Sequence, residues 1–256
     1  MSRITLVGSG WLALPLASEL ERLGHHLTLT TTQADKAREL KTKGHKVEVY
    51  ELGQQLAPDS ALLQADVLLL AITSKDVEAY QGLVEQLRQA DSQHLLFISS
   101  TSVYLNNGQL QDESSLALNT DSALYQIEQL IRTLPSVTIL RFAGLVGPDR
   151  HPGRFFRRTG VMNNPQAPVN LIHLDDCLGI IAAIIKQQAW NEVFNGCADT
   201  HPSKAEFYPA MAASLGLKPP EPANSISGSD KIISNQKVKL KLNYVFRYPD
   251  VMQMDF

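Results

Sequence analysis

The stretch Ile4–Ala13 constrains the fold more than any other part of the chain. It reads Ile-Thr-Leu-Val-Gly-Ser-Gly-Trp-Leu-Ala, an apolar β-prone run that ends in Gly-x-Gly-x-x-Ala and leads into a helical pattern. Gly8 permits a tight turn out of the strand, Gly10 lets a pyrophosphate approach the backbone, and Ala13 lets the helix pack closely on the sheet. The pattern predicts a dinucleotide-binding βαβ unit with phosphates at the helix N-terminus; the alternative is an ordinary strand-turn-helix. The expected cofactor contacts are Gly8, Ser9, Gly10, Trp11 and Leu12.

Composition excludes several classes of protein. The chain has 256 residues, 44% of them hydrophobic and 19% charged, which is typical of a soluble globular protein. A formal net charge of −3 argues against nucleic acid as a partner. No apolar run approaches the roughly 20 residues that span a bilayer, and the start of the chain enters a strand without a signal sequence. Cys177 and Cys197 form no Cys-x-x-Cys pair or metal-ligand spacing, so we expect buried thiols, no metal and a cytoplasmic location.

Strand-like and helix-like segments alternate through most of the chain. Strands are expected at Ile4–Val7, Leu27–Thr31, Lys46–Tyr50, Val67–Ile72, Leu95–Ser99, Val137–Phe142, Val169–Leu174 and around Glu192–Asn195. Helices are expected at Trp11–Leu23, Gln33–Lys43, Asp76–Gln89, Asp121–Thr133, Asp175–Gln188 and Ser203–Leu215. This βαβ alternation predicts an α/β, Rossmann-like fold with a doubly wound parallel sheet and right-handed crossovers.

The alternation is interrupted after Gly147. The segment His151–Pro168 is rich in Pro, Gly, Asn and Arg, and the predicted loop Lys218–Ser229 contains three prolines. We expect residues 1–148 to form an NAD(P)-binding Rossmann-like domain, to which residues 169–196 return. Residues 149–168 and 197–256 are expected to form a smaller C-terminal substrate-binding lid.

The end of the second strand bears on the choice of cofactor. NAD-preferring sites carry an acidic residue about 20 positions past the glycines, where it binds the ribose 2′-hydroxyl. Here the run is Thr30, Thr31, Thr32 and Gln33, and it is uncharged until Asp35. Hydroxyls and an amide can bind a 2′-phosphate without repelling it, and Lys36 and Arg38 are close enough in sequence to help. The pattern favours NADP over NAD, although threonines at a strand end are also simply β-prone.

Four further segments carry a family resemblance. They are Phe97–Tyr104 (Phe-Ile-Ser-Ser-Thr-Ser-Val-Tyr), Asp112–Ser114 (Asp-Glu-Ser), Arg141–Pro148 (Arg-Phe-Ala-Gly-Leu-Val-Gly-Pro) and Ile172–Asp176 (Ile-His-Leu-Asp-Asp). In this order and spacing the chain resembles the extended short-chain dehydrogenase/reductases, the NAD-dependent epimerase/dehydratase group that acts on nucleotide sugars. Its compact length resembles the smaller, atypical members. The start of the chain also resembles the β-hydroxyacid dehydrogenases, but those lack the Ser-Ser-x-x-Val-Tyr and Ile-His-x-Asp-Asp elements.

The resemblance implies a catalytic Ser or Thr and a Tyr whose pKa is lowered by a Lys four residues later. Ser100 stands at the Ser/Thr position. If Glu128 matches the Glu that follows the family's Lys by four residues, the Tyr and Lys positions hold Thr120 and Leu124. Neither of these side chains can perform acid–base chemistry.

A shifted register offers Tyr125 as the general acid. Gln129 then stands at the Lys spacing, and an amide cannot supply the positive charge that lowers a phenol's pKa. Either Tyr125 works with another cation or the protein lacks the usual proton relay, in which case Tyr125 is a packed aromatic residue of an amphipathic helix.

Other site residues follow from the resemblance. Further cofactor contacts are implied at Ala71, Ile72, Thr73, Ser99, Phe142 and Ala143. Gly144 stands where many members have Asn. Arginines that suit a substrate diphosphate are Arg150 and Arg154, with Arg157 and Arg158 beside them; a solvated basic turn is the alternative. His173 has apolar neighbours and is interpreted as a structural histidine.

Two functions are consistent with these residues. The first is an NAD(P)-dependent oxidoreductase or epimerase that acts on a small, sugar-like molecule such as a nucleotide sugar through a nonstandard site. The second is a catalytically inactive NAD(P)-binding sensor or scaffold, which the missing Tyr-x-x-x-Lys pair favours. The resemblance also implies a homodimer through the helices predicted at Asp76–Gln89 and Asp121–Thr133.

Overall fold

The computed structural model describes residues 1–88, 94–223 and 230–256. The predicted helix end at Gln89 and residues 224–229 of the predicted loop lie outside the described residues. The strands are β1 Arg3–Val7, β2 His26–Thr31, β3 Lys46–Val49, β4 Val67–Leu70, β5 His94–Ser100, β6 Leu110–Gln111, β7 Val137–Phe142, β8 Gly144–Val146, β9 Val161–Met162, β10 Leu171–His173, β11 Val193–Gly196, β12 Glu221–Pro222 and β13 Ile232–Ile233. The α-helices are α1 Ala13–Arg22, α2 Ala34–Thr42, α3 Ala61–Gln64, α4 Val77–Leu87, α5 Ala123–Ile131, α6 Leu174–Gln187, α7 Lys204–Ser214 and α8 Gln236–Leu242.

A seven-stranded sheet forms the centre of the fold. Its order is β11-β7-β5-β4-β1-β2-β3, and β1 pairs in parallel with both β2 and β4. The strands β2 and β3, and β4 and β5, are also parallel. Every residue of β4 and β7 is buried, which is expected of strands covered on both faces of a parallel sheet. The α/β, Rossmann-like prediction is confirmed.

Two compact units divide the chain. The first contains Met1–Ser99, Thr120–Leu140 and Ile184–Val193, and the second contains Ser100–Asn119, Arg141–Ala183 and Phe194–Phe256. The first unit's core includes Leu68, Leu70, Tyr80, Phe97 and Ile131. The second unit's core includes Val146, Leu171, Phe207, Met211 and Val251. The predicted domain boundaries stay a prediction.

Short parallel pairs join distant parts of the second unit. They are β8 with β10, β9 with β12, and β6 with β13. The strand predicted at Val169–Leu174 shortens to β10 because the Val169 N–H donates to the carbonyl of Pro202, while α6 already begins at Leu174. Across the described ranges, no helix has the length and apolar character that a bilayer crossing requires.

Candidate functional site

A cavity of about 530 Å³ lies in the first unit where strands of the parallel sheet end. Ligands of open α/β sheets bind at the carboxyl ends of the strands, and this cavity is lined by residues that end or follow β1, β2, β3 and β4. Its lining includes the predicted cofactor contacts Gly8, Ser9, Gly10, Thr30, Thr31, Thr32, Ala71, Ile72 and Thr73, together with Lys36, Glu51 and Asp76. We call this the first-unit cavity.

Gly8 brings three strand ends together. Its φ of +123° is a left-handed conformation that favours glycine, and a Cβ placed on it would lie 2.9 Å from the carbonyl oxygen of Ala71. Its N–H donates to Oγ1 of Thr30 at 3.1 Å. The turn after β1 is thereby fixed against the ends of β2 and β4, and only glycine fits there.

The start of α1 is open to a ligand. A Cβ on Gly10 would meet no atom within 4 Å, and the Gly10 carbonyl accepts from the N–H of Leu14 at 3.2 Å. The N-cap residue Leu12 supplies no side-chain hydrogen bond to the first turn. Backbone N–H groups at the start of a helix, beside an open glycine, suit a phosphate, so the cradle fits a dinucleotide's pyrophosphate. Trp11 is half-buried and Leu12 is buried beside the turn.

A lysine completes the wall formed by the end of β2. Lys36 lines the first-unit cavity, and its Nζ donates to the carbonyl oxygen of Ser9 at 2.7 Å. Arg38, which the sequence equally offered, is instead exposed and paired with Asp35. The cationic contact at this wall is therefore Lys36.

Sequence reasoning missed two carboxylates of the first-unit cavity. Glu51 follows β3, and Asp76 caps α4 by accepting from the N–H of Ala79 at 3.0 Å. No local pattern marks them, because their place depends on the sheet order: Glu51 follows β3, which pairs with β2, and Asp76 follows β4, which pairs with β1. The first-unit cavity thus offers acceptors as well as the donors of the turn.

Ser99, a predicted cofactor contact, is occupied elsewhere. It is buried, and its hydroxyl donates to Oε1 of the fully buried Glu128 at 2.6 Å. This bond ties β5 to α5 within the first unit. This hydrogen bond gives Ser99 a structural role, and the contact of Ser99 with a cofactor stays a prediction.

The two predicted catalytic residues lie in different units. Ser100 ends β5 in the second unit, and its hydroxyl accepts from the N–H of Ser102 at 3.1 Å. Tyr125 is half-buried on α5 in the first unit. In the described part of the chain its hydroxyl has no hydrogen-bond partner, and Gln129, one turn later, is exposed. The role of Tyr125 as a general acid stays a prediction.

The predicted nicotinamide neighbours sit against the end of β11. Within the second unit, the Ala143 N–H donates to the carbonyl of Gly196 at 2.9 Å, and a Cβ on Gly196 would lie 2.5 Å from Cδ1 of Phe142. Gly144 is equally crowded, because its Cβ would lie 2.7 Å from Cδ2 of Leu171. A side chain at this position would have to displace that Leu171 methyl group and would lie 3.2 Å from the carbonyl oxygen of Asn170, so glycine fits best beside β10.

The arginine cluster is accessible. The predicted substrate residues Arg150 and Arg154 are both exposed, as are Arg157 and Arg158. Arg150 follows a left-handed residue, Asp149, with a φ of +64°. The position of these side chains relative to a substrate stays a prediction.

Three of the segments that carry the family resemblance meet in a buried network of the second unit. Arg141 Nη1 donates to the hydroxyl of Tyr104 at 2.9 Å, and that hydroxyl donates to Oδ1 of Asn195 at 2.9 Å. Oε1 of Glu113 accepts from the N–H of Asn195 at 2.7 Å. Burial raises the pKa of the Tyr104 phenol, and Arg141 opposes this shift only in part. Tyr104 is thus a neutral structural phenol at physiological pH.

The Ile-His-x-Asp-Asp segment is also structural. The buried Asp176 accepts from the Tyr244 hydroxyl at 2.9 Å and from the N–H groups of Arg247 at 2.7 Å and Tyr248 at 3.0 Å. The buried His173 accepts at Nδ1 from the N–H of Asp175 at 3.1 Å. These bonds fasten the C-terminal segment to the start of α6.

Known proteins resemble this chain over its whole length. No family model matches the sequence. Protein YeeZ of Escherichia coli strain K12 is 34% identical over 272 residues, covering 99% of each chain. The chain belongs to the YeeZ family. The match leaves no large segment of either chain unaligned.

Solved structures share the fold of this YeeZ-family chain. A proposed NAD-dependent epimerase/dehydratase from Methylobacillus flagellatus has a TM-score of 0.77 at 25% identity, covering 97% of this chain and 94% of its own. MoeE5 in complex with UDP-glucose and NAD has a TM-score of 0.77 at 18% identity, covering 96% and 93%. The human epimerase family protein SDR39U1 with NADPH has a TM-score of 0.73 at 15% identity, covering 98% and 96%. The neighbours are thus extended short-chain dehydrogenase/reductase-like proteins.

Proposed function

We propose that the first unit binds a nicotinamide dinucleotide in the first-unit cavity. The observation that carries this proposal is the open cradle at Gly10, bordered by the uncapped start of α1. The pyrophosphate would accept from the N–H groups of this turn, and the adenosine half would lie toward the residues after β2 and β3. Glu51 supplies an acceptor for the adenine amino group. The NAD and NADPH complexes of the structural neighbours support the same assignment.

The preferred form of the cofactor is NADP. Lys36 stands at the wall where a ribose 2′-phosphate would enter, and Thr31 and Thr32 offer hydroxyl donors beside it. Among the described residues that end β2, none carries the carboxylate that would repel a 2′-phosphate. A cation with hydroxyl donors recognises a phosphate better than a ribose hydroxyl.

The reaction we propose is oxidation, reduction or epimerisation of a sugar-like substrate, with a nucleotide sugar as the first candidate. The nicotinamide would supply the hydride acceptor or donor. Ser100 would hydrogen-bond the reacting oxygen, Tyr125 is the candidate acid, and Arg150 and Arg154 would bind a diphosphate. UDP-glucose bound to MoeE5 supports this substrate class.

A second candidate is a binding protein without turnover. The specific observation in its favour is α5, where Gln129 replaces the cation and the described residues offer the Tyr125 hydroxyl no partner. Such a protein would respond to NAD(P) without transforming a substrate. The proposed cytoplasmic location and homodimer are shared by both candidates.

Binding is tested by thermal unfolding of the full chain with NADPH and NADH. At a hundredfold excess over Kd, NADPH should raise Tm by about 5–10 °C. Gly10→Asp should abolish the shift, because it puts a carboxylate in the phosphate cradle while meeting no neighbouring atom.

The exposed Ser18→Asp, on the same helix, is the matched control and should keep the shift. If neither cofactor stabilises the protein at millimolar concentration, the proposal is wrong. If NADPH raises the Tm of Gly10→Asp as much as that of the parent protein, the cofactor does not bind in this cradle.

A further inference from the structure

A second cavity, of about 430 Å³, lies entirely within the second unit. It is lined by residues that precede β9, from Gly153 to Gly160, and by residues that precede β12, from Leu217 to Pro220, together with the first residue of each strand. Because β9 and β12 are parallel, this places the cavity at their amino ends. We call it the second-unit cavity. Its size suits a small organic molecule.

Backbone contacts hold the two walls of the second-unit cavity in place. The Glu221 N–H donates to the carbonyl of Gly160 at 2.8 Å, which joins one wall to the other. At the far end of the first wall, a Cβ on Gly153 would lie 2.2 Å from the carbonyl oxygen of Met211 in α7. Glycine is therefore required for the close approach of these segments. The cavity is formed by the fold itself and needs no ligand to assemble.

The aromatic wall is also fixed. Phe156 lines the second-unit cavity and packs edge-on against Tyr208, with ring centroids 4.8 Å apart. Tyr208 in turn packs against Phe207, which is fully buried. The ring of Phe156 is thereby anchored to the core of the second unit while it faces the cavity. Together with Pro219 and Pro220 it gives the cavity rigid apolar surface.

Arg157 gives the second-unit cavity an uncompensated positive charge. Lys218 and Glu221 also line it, but their side chains form an ion pair at 2.7 Å and offset each other. In contrast, within the described ranges the Arg157 guanidinium makes no hydrogen bond or ion pair. A guanidinium presents several donors in a planar fork that matches carboxylate and phosphate groups.

We propose that the second-unit cavity binds a small organic anion whose planar apolar body lies against Phe156 and the prolines and whose anionic group pairs with Arg157. Phe156 and Arg157 are adjacent in sequence and both line this cavity, so one ligand could contact the ring and the guanidinium at the same time. This site does not depend on the first-unit cavity, because its described lining residues all belong to the second unit.

The test uses amide chemical shifts of the full chain titrated with phenyl phosphate or benzoate, without nicotinamide cofactor. At least one of them should saturate and shift the amides of Gly160 and Glu221. Inorganic phosphate, which lacks the ring, and benzyl alcohol, which lacks the charge, should each bind at least about tenfold more weakly.

Two variants decide the role of the charge. Arg157→Ala should weaken binding about tenfold or more, since it removes the charge-assisted hydrogen bonds to the anionic group. Arg158→Ala removes the same charge from an exposed neighbour outside the cavity lining and should bind like the parent protein. Equal weakening in both variants, or failure of both probes to shift these amides, overturns the proposal. Gly10→Asp should leave this binding unchanged, so the outcome is independent of the cofactor proposal.

Discussion

Lys36 shows how a single residue can set the preference of the first-unit cavity. Its Nζ is held 2.7 Å from the Ser9 carbonyl, so the charge stays beside the glycine turn rather than in solvent. Among the described residues of the lining, Lys36 is the only Lys or Arg. A 2′-phosphate would gain a charge-assisted contact at little cost in side-chain ordering. NAD, which has no such phosphate, would gain nothing from it.

Lys36→Gln should therefore lower the ratio of NADPH to NADH affinity about tenfold, because the amide keeps a hydrogen-bond donor and loses the charge. Isothermal titration with each cofactor measures the ratio. Arg38→Gln is the matched control, since Arg38 is exposed and already paired with Asp35. A ratio that falls equally in both variants would point to general electrostatics instead of a specific contact.

At the scale of elements, the long buried strands could be predicted and the short ones could not. The prediction for β7 has the observed bounds, those for β1 and β2 differ by one residue at one end, and that for β5 differs by one residue at each end, because their apolar runs fix both the type and the extent of a strand. In contrast, β9 and β12 have two residues each and exist because they pair with each other across the chain. No local pattern of two residues contains that information.

The residues of the candidate site were likewise predictable only where a local pattern marks them. The glycine turn and the threonines at the end of β2 could be predicted because their spacing is local. Glu51 and Asp76 were missed, since their place in the first-unit cavity depends on which strands are neighbours. The buried bond between Ser99 and Glu128 likewise joins residues 29 positions apart, and it gives the matched Glu a structural partner.

The helix α5 decides between the two proposed functions. If Tyr125 is the acid, Tyr125→Phe should abolish conversion of UDP-glucose, measured by chromatography of the products, because the ring remains and the hydroxyl that donates the proton is lost. Its NADPH-induced rise in Tm should be retained. Tyr80→Phe is the control, since the buried Tyr80 hydroxyl has no partner among the described residues.

Full conversion by Tyr125→Phe would exclude this tyrosine. Absence of conversion in the parent protein, with NADPH binding intact, would favour the non-catalytic candidate for this substrate.

At the scale of the whole molecule, histidines that are wholly or partly buried make stability depend on pH. Burial is the main cause that lowers the pKa of five of the seven histidines from 6.5, and these are His25, His94, His151, His173 and His201. Below about pH 6.5 the unfolded chain binds more protons at these positions than the folded chain does. The stability that their neutral forms contribute is therefore fully present above about pH 6.5. It is lost as the pH falls from there through the lowered pKa values of the folded chain.

The urea midpoint should accordingly decrease between about pH 7.5 and about pH 5.5, followed by circular dichroism with an unchanged m value. His173 is buried, so His173→Gln should reduce this decrease even if it also lowers stability at both pH values. Exposed His26→Gln is the control and should keep the parent slope. The comparison uses the slope and not the stability itself, so a general loss of packing in His173→Gln cannot imitate the result. A parent midpoint that rises on acidification, or a slope identical in His173→Gln, would contradict the prediction that desolvation of histidine sets the pH dependence in this range.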